Sequence, residues 1–347
     1  MSDDQRVGPP TESAKSDEPF DHVPVMLEHI AAYFRDLPAG LVVDATLGGG
    51  GHAEAILLAA PQLQLLGIDQ DDMAIGAATR RLAQFGDRVT IVNARFDAIT
   101  EVVEAHLHTS HHRATPCLVG VLFDLGVSSP QLDRADRGFS YRQEGPLDMR
   151  MSRSQPLTAA TIVNTYPAEE LASLLDRYGD ERFARRIAAA VVSQRPIETT
   201  TELAEIVRTA IPAAARRKGG HPAKRTFQAL RIETNEELAI LGTTLEQAID
   251  LLLPGGRCVA MSYHSGEDKI VKDRFRQAET GGCVCPPKFG CVCGAEPKVR
   301  LLRRGAVKAD AAELERNPRS ESVRIRAVES VRFLPRAELA EVKVDAS

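Results

Sequence analysis

The residues best placed to do chemistry fall in four short stretches of this 347-residue chain. The first is Asp44-Ala-Thr46-Leu-Gly48-Gly49-Gly50-Gly51-His52. Consecutive glycines let backbone approach a ligand closely, and a helix starting at their end favours negative charge. The second is Asp69, 18 residues past Gly51, where a carboxylate at a strand end can accept hydrogen bonds from ribose hydroxyls. The third is Asp124-Leu-Gly-Val-Ser128-Ser129-Pro130-Gln131, a polar cluster at the end of an apolar run. The fourth is the pair Cys283-Val-Cys285 and Cys291-Val-Cys293. Four thiolates in a tight loop could hold a structural zinc ion, although C-x-C pairs are less diagnostic than C-x2-C pairs. A free-thiol loop and redox-labile pairs stay open as alternatives. Cys117 and Cys258 sit in apolar runs and read as small core residues.

These stretches need elements to position them, and the first third of the chain supplies an alternating pattern. Apolar runs at 41–44, 63–69, 89–93 and 118–124 read as strands. Helical patterns at 53–60, 73–85 and 99–107 lie between them. This rhythm implies a parallel, doubly wound sheet with helices on both faces. From about 137 to 225 the pattern is helical, clearest at 168–178, 181–194 and 201–210. A helix at 235–253, a strand at 257–263, a helix at 266–278 and a late strand at 323–333 follow. The expected organisation is therefore one α/β core split by a helical insertion. Its parts are an acidic disordered tail (1–21), a first core segment (22–136), the insertion (137–225), a second core segment (226–333) carrying the Cys-rich loop 283–293, and a C-terminal tail (334–347).

Composition is that of a globular chain, 43% hydrophobic and 26% charged. No uncharged apolar run approaches the roughly 20 residues of a spanning helix, and the N-terminus lacks a signal-peptide pattern. A soluble, cytoplasmic chain with no membrane partner is expected. The net charge of −5 argues against nucleic acid only until it is mapped. Residues 1–21 hold six acids and two bases, so −4 of the −5 belongs to the tail. Six bases and no acid lie between Arg216 and Arg231, and five more between Lys298 and Lys308. Such clusters suit phosphate, though a solvated surface is the plainer reading. His106, His108, His111 and His112 read as an exposed loop rather than a metal site.

The glycine turn with Asp69 points to an adenosine-containing ligand. A dinucleotide site usually reads G-x-G-x-x-G, which the run Gly48–Gly51 matches poorly. No Walker lysine follows, so a P-loop is excluded. S-adenosylmethionine carries no phosphate and needs only a close turn for its carboxylate end, which favours it over NAD. The Ser-Pro step after Asp124 is similar to the polar-Pro motif of amino-methyltransferases. An aromatic amine is a poor nucleophile because its lone pair is delocalised. Oxygen acceptors holding its N–H groups can localise that pair and help remove the proton. For Ser128 and Ser129 a plain turn or helix cap is the competing reading.

Eight motifs in order now carry a specific resemblance. They are His22-Val-Pro-Val, Asp44 to His52, Asp124 to Gln131, Gly138-Phe-Ser140, Gly145-Pro-Leu-Asp-Met-Arg-Met151, Tyr178-Gly-Asp-Glu-Arg-Phe183, Thr226-Phe-Gln-Ala-Leu-Arg231 and Ser262-Tyr-His-Ser265. Together they resemble the bacterial 16S ribosomal RNA (cytosine-N4)-methyltransferase family, RsmH or MraW, over about residues 22–333. The resemblance implies a Rossmann-like class I S-adenosylmethionine-dependent methyltransferase core with an inserted helical domain. It implies N4-methylation of a cytidine in the decoding region of small-subunit rRNA. It places cofactor contacts at Gly50, Gly51, His52, Asp69, Phe96, Asp124 and Gln131. Without it, Phe96 reads as core. Ser128, Ser129 and His264 become candidates for holding the amine or relaying its proton, with a structural histidine the alternative for His264. Lys224 and Arg225 become candidates for the RNA backbone near the mouth of the site. Direct in-line transfer is expected, with positioning the main contribution and the base turned out of its stack. Gly266 stands where the family often has Leu, and Asp69-Gln-Asp-Asp72 replaces a turn that commonly holds Arg and Pro. No base is identified, and the oligomeric state, a homodimer included, is not legible.

Overall fold

A computed structural model describes residues 24–109, 118–216, 220–286 and 292–331. The tails 1–21 and 334–347, His111, His112, Cys117, Arg217, Lys218 and Cys291 lie outside the described residues. After α1 (Leu27–Phe34) come β1 (Gly40–Asp44), α2 (Gly51–Ala59), β2 (Leu63–Asp69), α3 (Asp72–Leu82), β3 (Val89–Asn93), α4 (Ile99–Thr109) and β4 (Leu118–Asp124). The helical stretch follows: α5 (Ser129–Asp133), α6 (Ala159–Thr165), α7 (Ala168–Gly179), α8 (Ala184–Ser193), α9 (Thr200–Ala210), α10 (Ala213–Arg216), α11 (Lys224–Asn235) and α12 (Glu237–Leu251). The chain then forms β5 (Arg257–Ser262), α13 (Ser265–Thr280), β6 (Val299–Leu301), α14 (Ala311–Arg316) and β7 (Arg324–Ser330).

The seven strands form one sheet in the order β3-β2-β1-β4-β5-β7-β6. Strands β1 to β5 run parallel, and β7 lies antiparallel to both β5 and β6. The near-continuous apolar runs are explained by burial on both faces. Leu41, Val43, Val121, Phe123, Cys258 and Ala260 face α4, α12 and α13, while Val42, Leu122, Val259 and Met261 face α1, α2 and α3. This is the Rossmann-like α/β core expected, with α12 packed on the sheet and α6 to α11 as the insertion. Those helices share their own apolar cluster, including Leu147, Ile162, Leu175, Ile187, Leu203, Phe227 and Leu230. Helix α11 thus belongs to the insertion's packing at its middle while its far end meets the core. No helix among the described residues is long and apolar enough to cross a membrane.

Some expectations need correction. The helix expected at 235–253 is α12 (Glu237–Leu251), and Glu236, with a left-handed φ of 54°, separates it from α11, which the periodicity did not mark as a helix of its own. His106 and His108 lie on the last turns of α4 rather than in a loop, where the His108 Nδ1 is 2.6 Å from the Glu104 carbonyl oxygen. Arg231 does not belong to an exposed basic run, because its side chain is largely withdrawn from solvent against carboxylates.

Candidate active site

Sheet order reverses between β1 and β4, and in open α/β sheets the crevice outside the strand ends at such a switch point receives ligands. Asp44, Asp69 and Asp124 close β1, β2 and β4 at this edge. A cavity of about 400 Å³ opens there. Its walls include Gly48, Gly49, Gly51, His52, Asp69, Phe96, Asp124, Ser128 and Gln131, and on the opposite side Arg231, Glu237, Tyr263 and Glu267.

Hydrogen bonds to two strands hold the glycine turn. Gly48 N donates to Asp69 Oδ2 (2.7 Å), Leu47 N to the Ile68 carbonyl (2.9 Å), and Asp124 N to Thr46 Oγ1 (2.6 Å). Gly50 has φ +77°, and a Cβ there would come within 3.2 Å of Leu82, so it lets α2 pack on α3 rather than lining the cavity. Gly51 starts α2, and a Cβ on it would lie 2.3 Å from Pro24 Cγ. His52 follows on α2, buried, with neither ring nitrogen hydrogen-bonded. Its Nε2 is 3.4 Å from Asp124 Oδ2.

Burial raises Asp69 to a pKa of about 6 despite backbone N–H groups from Asp71 and Gly48. Each of its oxygens accepts one such bond (Asp71 N to Oδ1, 2.9 Å), so lone pairs remain for a ligand. Burial likewise raises Asp44, beneath the turn, to about 7, against the pull of His52 and the Thr46 N–H. Phe96 lines the cavity and meets Phe123 edge to face, with ring centroids 6.2 Å apart.

Beyond Asp124 the chain turns into α5. The Ser128 carbonyl accepts from the N–H groups of Gln131 and Leu132 (3.1 and 3.4 Å), while Ser128 N donates to Gln131 Oε1 (3.0 Å). Ser128 lines the cavity, and Ser129 opens α5. The Gln131 amide is committed elsewhere, its Nε2 donating to Asp71 Oδ2 at 3.0 Å. That carboxylate also receives Arg137 Nη1 at 2.8 Å.

The opposite wall holds residues the sequence did not single out as members of the site. Tyr263 donates its hydroxyl to Asp124 Oδ1 (2.7 Å), and burial beside that carboxylate raises its pKa well above 10. Arg231 makes a two-pronged contact with Glu237, Nε to Oε1 and Nη2 to Oε2, both 2.9 Å. Its Nη2 also lies 3.6 Å from Glu267 Oε1. Burial pushes Glu267 up, yet His264, Arg231 and the Tyr263 N–H outweigh it and hold its carboxyl below the usual range. Burial prevails at Glu237, whose pKa is raised in spite of Arg231. Adjacent motif residues Tyr263 and His264 were the available signal, but the partners of Arg231 lie on other elements.

His264 does not line the cavity. It caps α13, its Nδ1 accepting from Gly266 N (3.2 Å) and Glu267 N (3.5 Å), with Nε2 3.0 Å from Glu267 Oε1. Lys224 and Arg225 begin α11, exposed, and neither lines the cavity. Arg225 Nη1 donates to the Asp180 carbonyl (2.7 Å), and Ser265 Oγ to Asp180 Oδ2 (3.1 Å), so Arg225 sits one residue away from the α13 turn. In the second basic run, Lys298 pairs with Asp250 and Arg300 with Glu329, leaving Arg303, Arg304 and Lys308 exposed. Cys283, Cys285 and Cys293 come together at the other end of α13.

The MraW methylase family model matches residues 19–331. A Heliobacterium modesticaldum protein, "Ribosomal RNA small subunit methyltransferase H", is 46% identical over 318 residues, spanning 90% of this chain and 99% of that protein. A Mycobacterium avium protein of the same name is 51% identical over 321 residues, spanning 89% of this chain and 82% of its own length.

Proposed function

The chain belongs to the MraW methylase family, and from that premise we propose that it methylates N4 of a cytidine in the decoding region of 16S ribosomal RNA, with S-adenosylmethionine as donor. One observation carries this reading. The glycine turn, Asp69 and Phe96 share a single cavity with Asp124 and Ser128. The first set suits a nucleoside with an amino-acid tail, and the second offers oxygen acceptors to an amine.

The residues present fit such a donor. Spare lone pairs on Asp69 suit ribose hydroxyls, Phe96 offers an apolar ring face to adenine, and the close turn at Gly51 admits the amino-acid end. The unpartnered ring nitrogens of buried His52 supply further polar capacity beside Asp124. Gly50 contributes through packing and Gln131 by holding Asp71 and the Ser128 backbone. When bound, S-adenosylmethionine supplies an electrophilic methyl group on a sulfonium.

Ser128, with Ser129 next to it, would accept the amine's N–H groups and turn its lone pair toward the donor side of the cavity. Asp124 is fixed for the same task by the Tyr263 hydroxyl and the Thr46 side chain. His264 acts as a positioning residue, capping α13 and steadying Glu267. An extended base reaching these groups must leave its stack, which favours an unpaired or distorted RNA site. Lys224 and Arg225, with the exposed bases Arg303, Arg304 and Lys308, would hold the RNA backbone.

Incubating the full chain with unmethylated small-subunit particles and methyl-labelled donor tests this directly. N4-methylcytidine in the digested 16S rRNA is the expected product. Label on another base, on another atom of cytidine, or nowhere would overturn the assignment.

A further inference from the structure

Between α13 and β6 the chain leaves the body of the fold and returns through a closed neck. Gly282 N donates to the Gln277 carbonyl (2.9 Å), Cys283 N to Thr280 (3.1 Å) and Lys298 N to Ala278 (2.8 Å). Gly281 crosses this neck with φ +61°, and a Cβ there would sit 2.3 Å from the Glu296 carbonyl oxygen. Beyond the neck each arm carries the pattern Cys-Val-Cys, at 283–285 and 291–293.

In an extended arm successive side chains face opposite ways, so Cys283 and Cys285 turn to one side and Val284 to the other. Val284 is accordingly 90% exposed, and Val292 is 89% exposed. The Sγ atoms of Cys283, Cys285 and Cys293 all lie within 4.8 Å of one another. Among the described residues of the two arms, the valines thus form no apolar core.

We propose that Cys283, Cys285 and Cys293 bind a structural zinc ion that clamps the two arms of this loop. Sulfurs at about 2.3 Å from a tetrahedral zinc lie about 3.8 Å apart, within the spacing seen. Thiolates are soft ligands, which select zinc over magnesium or calcium. Three thiolates leave the fourth position of the tetrahedron to another ligand. The ion stands apart from methyl transfer. Helix α13 has 16 residues, and at 1.5 Å each it carries the loop about 24 Å from its N-terminal end at the cavity.

The full chain, purified under reducing conditions with zinc present and then desalted, is expected to retain one zinc per chain by elemental analysis. Cobalt(II) added to metal-free protein should give intense visible bands and near-ultraviolet thiolate charge transfer, the signature of a tetrahedral sulfur site. The double variant Cys283→Ser, Cys293→Ser should lose both the zinc and the cobalt spectrum. It should keep wild-type affinity for S-adenosylmethionine, which shows that the fold survives. Wild-type protein without stoichiometric zinc, a double variant that retains it, or a weak octahedral cobalt spectrum would each overturn the site. None of these readouts depends on the rRNA assignment.

Discussion

Two buried charge networks join the helical insertion to the sheet, and they are finished to different degrees. In the first, Arg137 reaches Asp71 with one nitrogen and the carbonyls of Arg150 and Met151 with another (3.0 and 3.1 Å). Gln131 and the Met73 N–H complete Asp71, and none of the fully buried polar atoms of these side chains lacks a partner. The second joins Arg231, Glu237, Glu267 and His264, and there Glu267 Oε1 lies 3.0 Å from His264 Nε2 and 3.6 Å from Arg231 Nη2 without a well-aligned hydrogen bond. Fully satisfied buried networks rigidify, while unsatisfied polar atoms beside a cavity are capacity for a ligand. The first network fixes how the insertion sits on the core. The second borders the cavity through Arg231, Glu237 and Glu267.

The sharpest way to break this comparison is to remove one arginine from each network. Arg137→Ala leaves Asp71 charged and buried with its main partner gone, a change worth about 3–5 kcal/mol of stability. Urea unfolding should show that loss as a lower midpoint with an unchanged slope. Arg231→Ala should cost less, because Glu237 and Glu267 border a cavity that water can enter. Equal losses for the two variants would mean that both networks are simply structural.

A smaller effect is expected on the donor side. Asp69→Ala removes an acceptor of charge-assisted hydrogen bonds, worth about 1.5–3 kcal/mol. Calorimetry should therefore find S-adenosylmethionine binding weakened by about 10- to 100-fold. Wild-type affinity in this variant would remove Asp69 from the donor site.

The same carboxylate sets a pH dependence. Asp69 titrates near pH 6, and only its ionised form can accept from two hydroxyls at once. Donor affinity should rise with pH through 6 and level off above it, falling by up to about tenfold per unit on the acid side. Asp69→Asn should flatten the profile. Stability runs the other way for this group and for Asp44. Their folded pKa values, about 6 and about 7, stand above the ordinary 3.8, so the folded chain holds more protons than the unfolded one in between. These two carboxyls therefore subtract stability as pH rises from about 4 to 7.

The half of the cavity that carries the glycine turn and Asp69 was legible in the sequence, and the facing half was not. Strands buried on both faces leave continuous apolar runs, and Asp44, Asp69 and Asp124 mark their ends. A glycine turn between strand and helix is a local pattern, so its place followed from its neighbours. Arg231 is the opposite case. Its run from 216 contains no acid, which reads as solvated charge, yet its carboxylates come from α12 and α13. Tyr263 and Asp124 likewise meet across 139 residues of chain. Strand β6 has three residues and takes its identity from pairing with β7, so it had no period of its own to detect. Glu236 breaks a helix with a left-handed turn that its residue type does not announce.

The weakest expected effect tests where the second network stops. Lys224 and Arg225 are exposed at the start of α11, in the helix that carries Arg231. If they serve only to neutralise phosphates, Lys224→Ala with Arg225→Ala should weaken RNA binding several-fold and irrespective of sequence. Removing each such base should lower the salt slope by about 0.7 for a single strand. Donor affinity should stay put. Arg225 also holds the Asp180 carbonyl, and Asp180 holds Ser265 beside the α13 cap. Lys224→Ala alone therefore isolates the electrostatic part, and any loss of methylation rate confined to Arg225→Ala reports on that cap. An unchanged salt slope in the double variant would take both residues out of the RNA surface. A changed rate with an unchanged slope would instead extend the second network through Asp180 to the helical insertion.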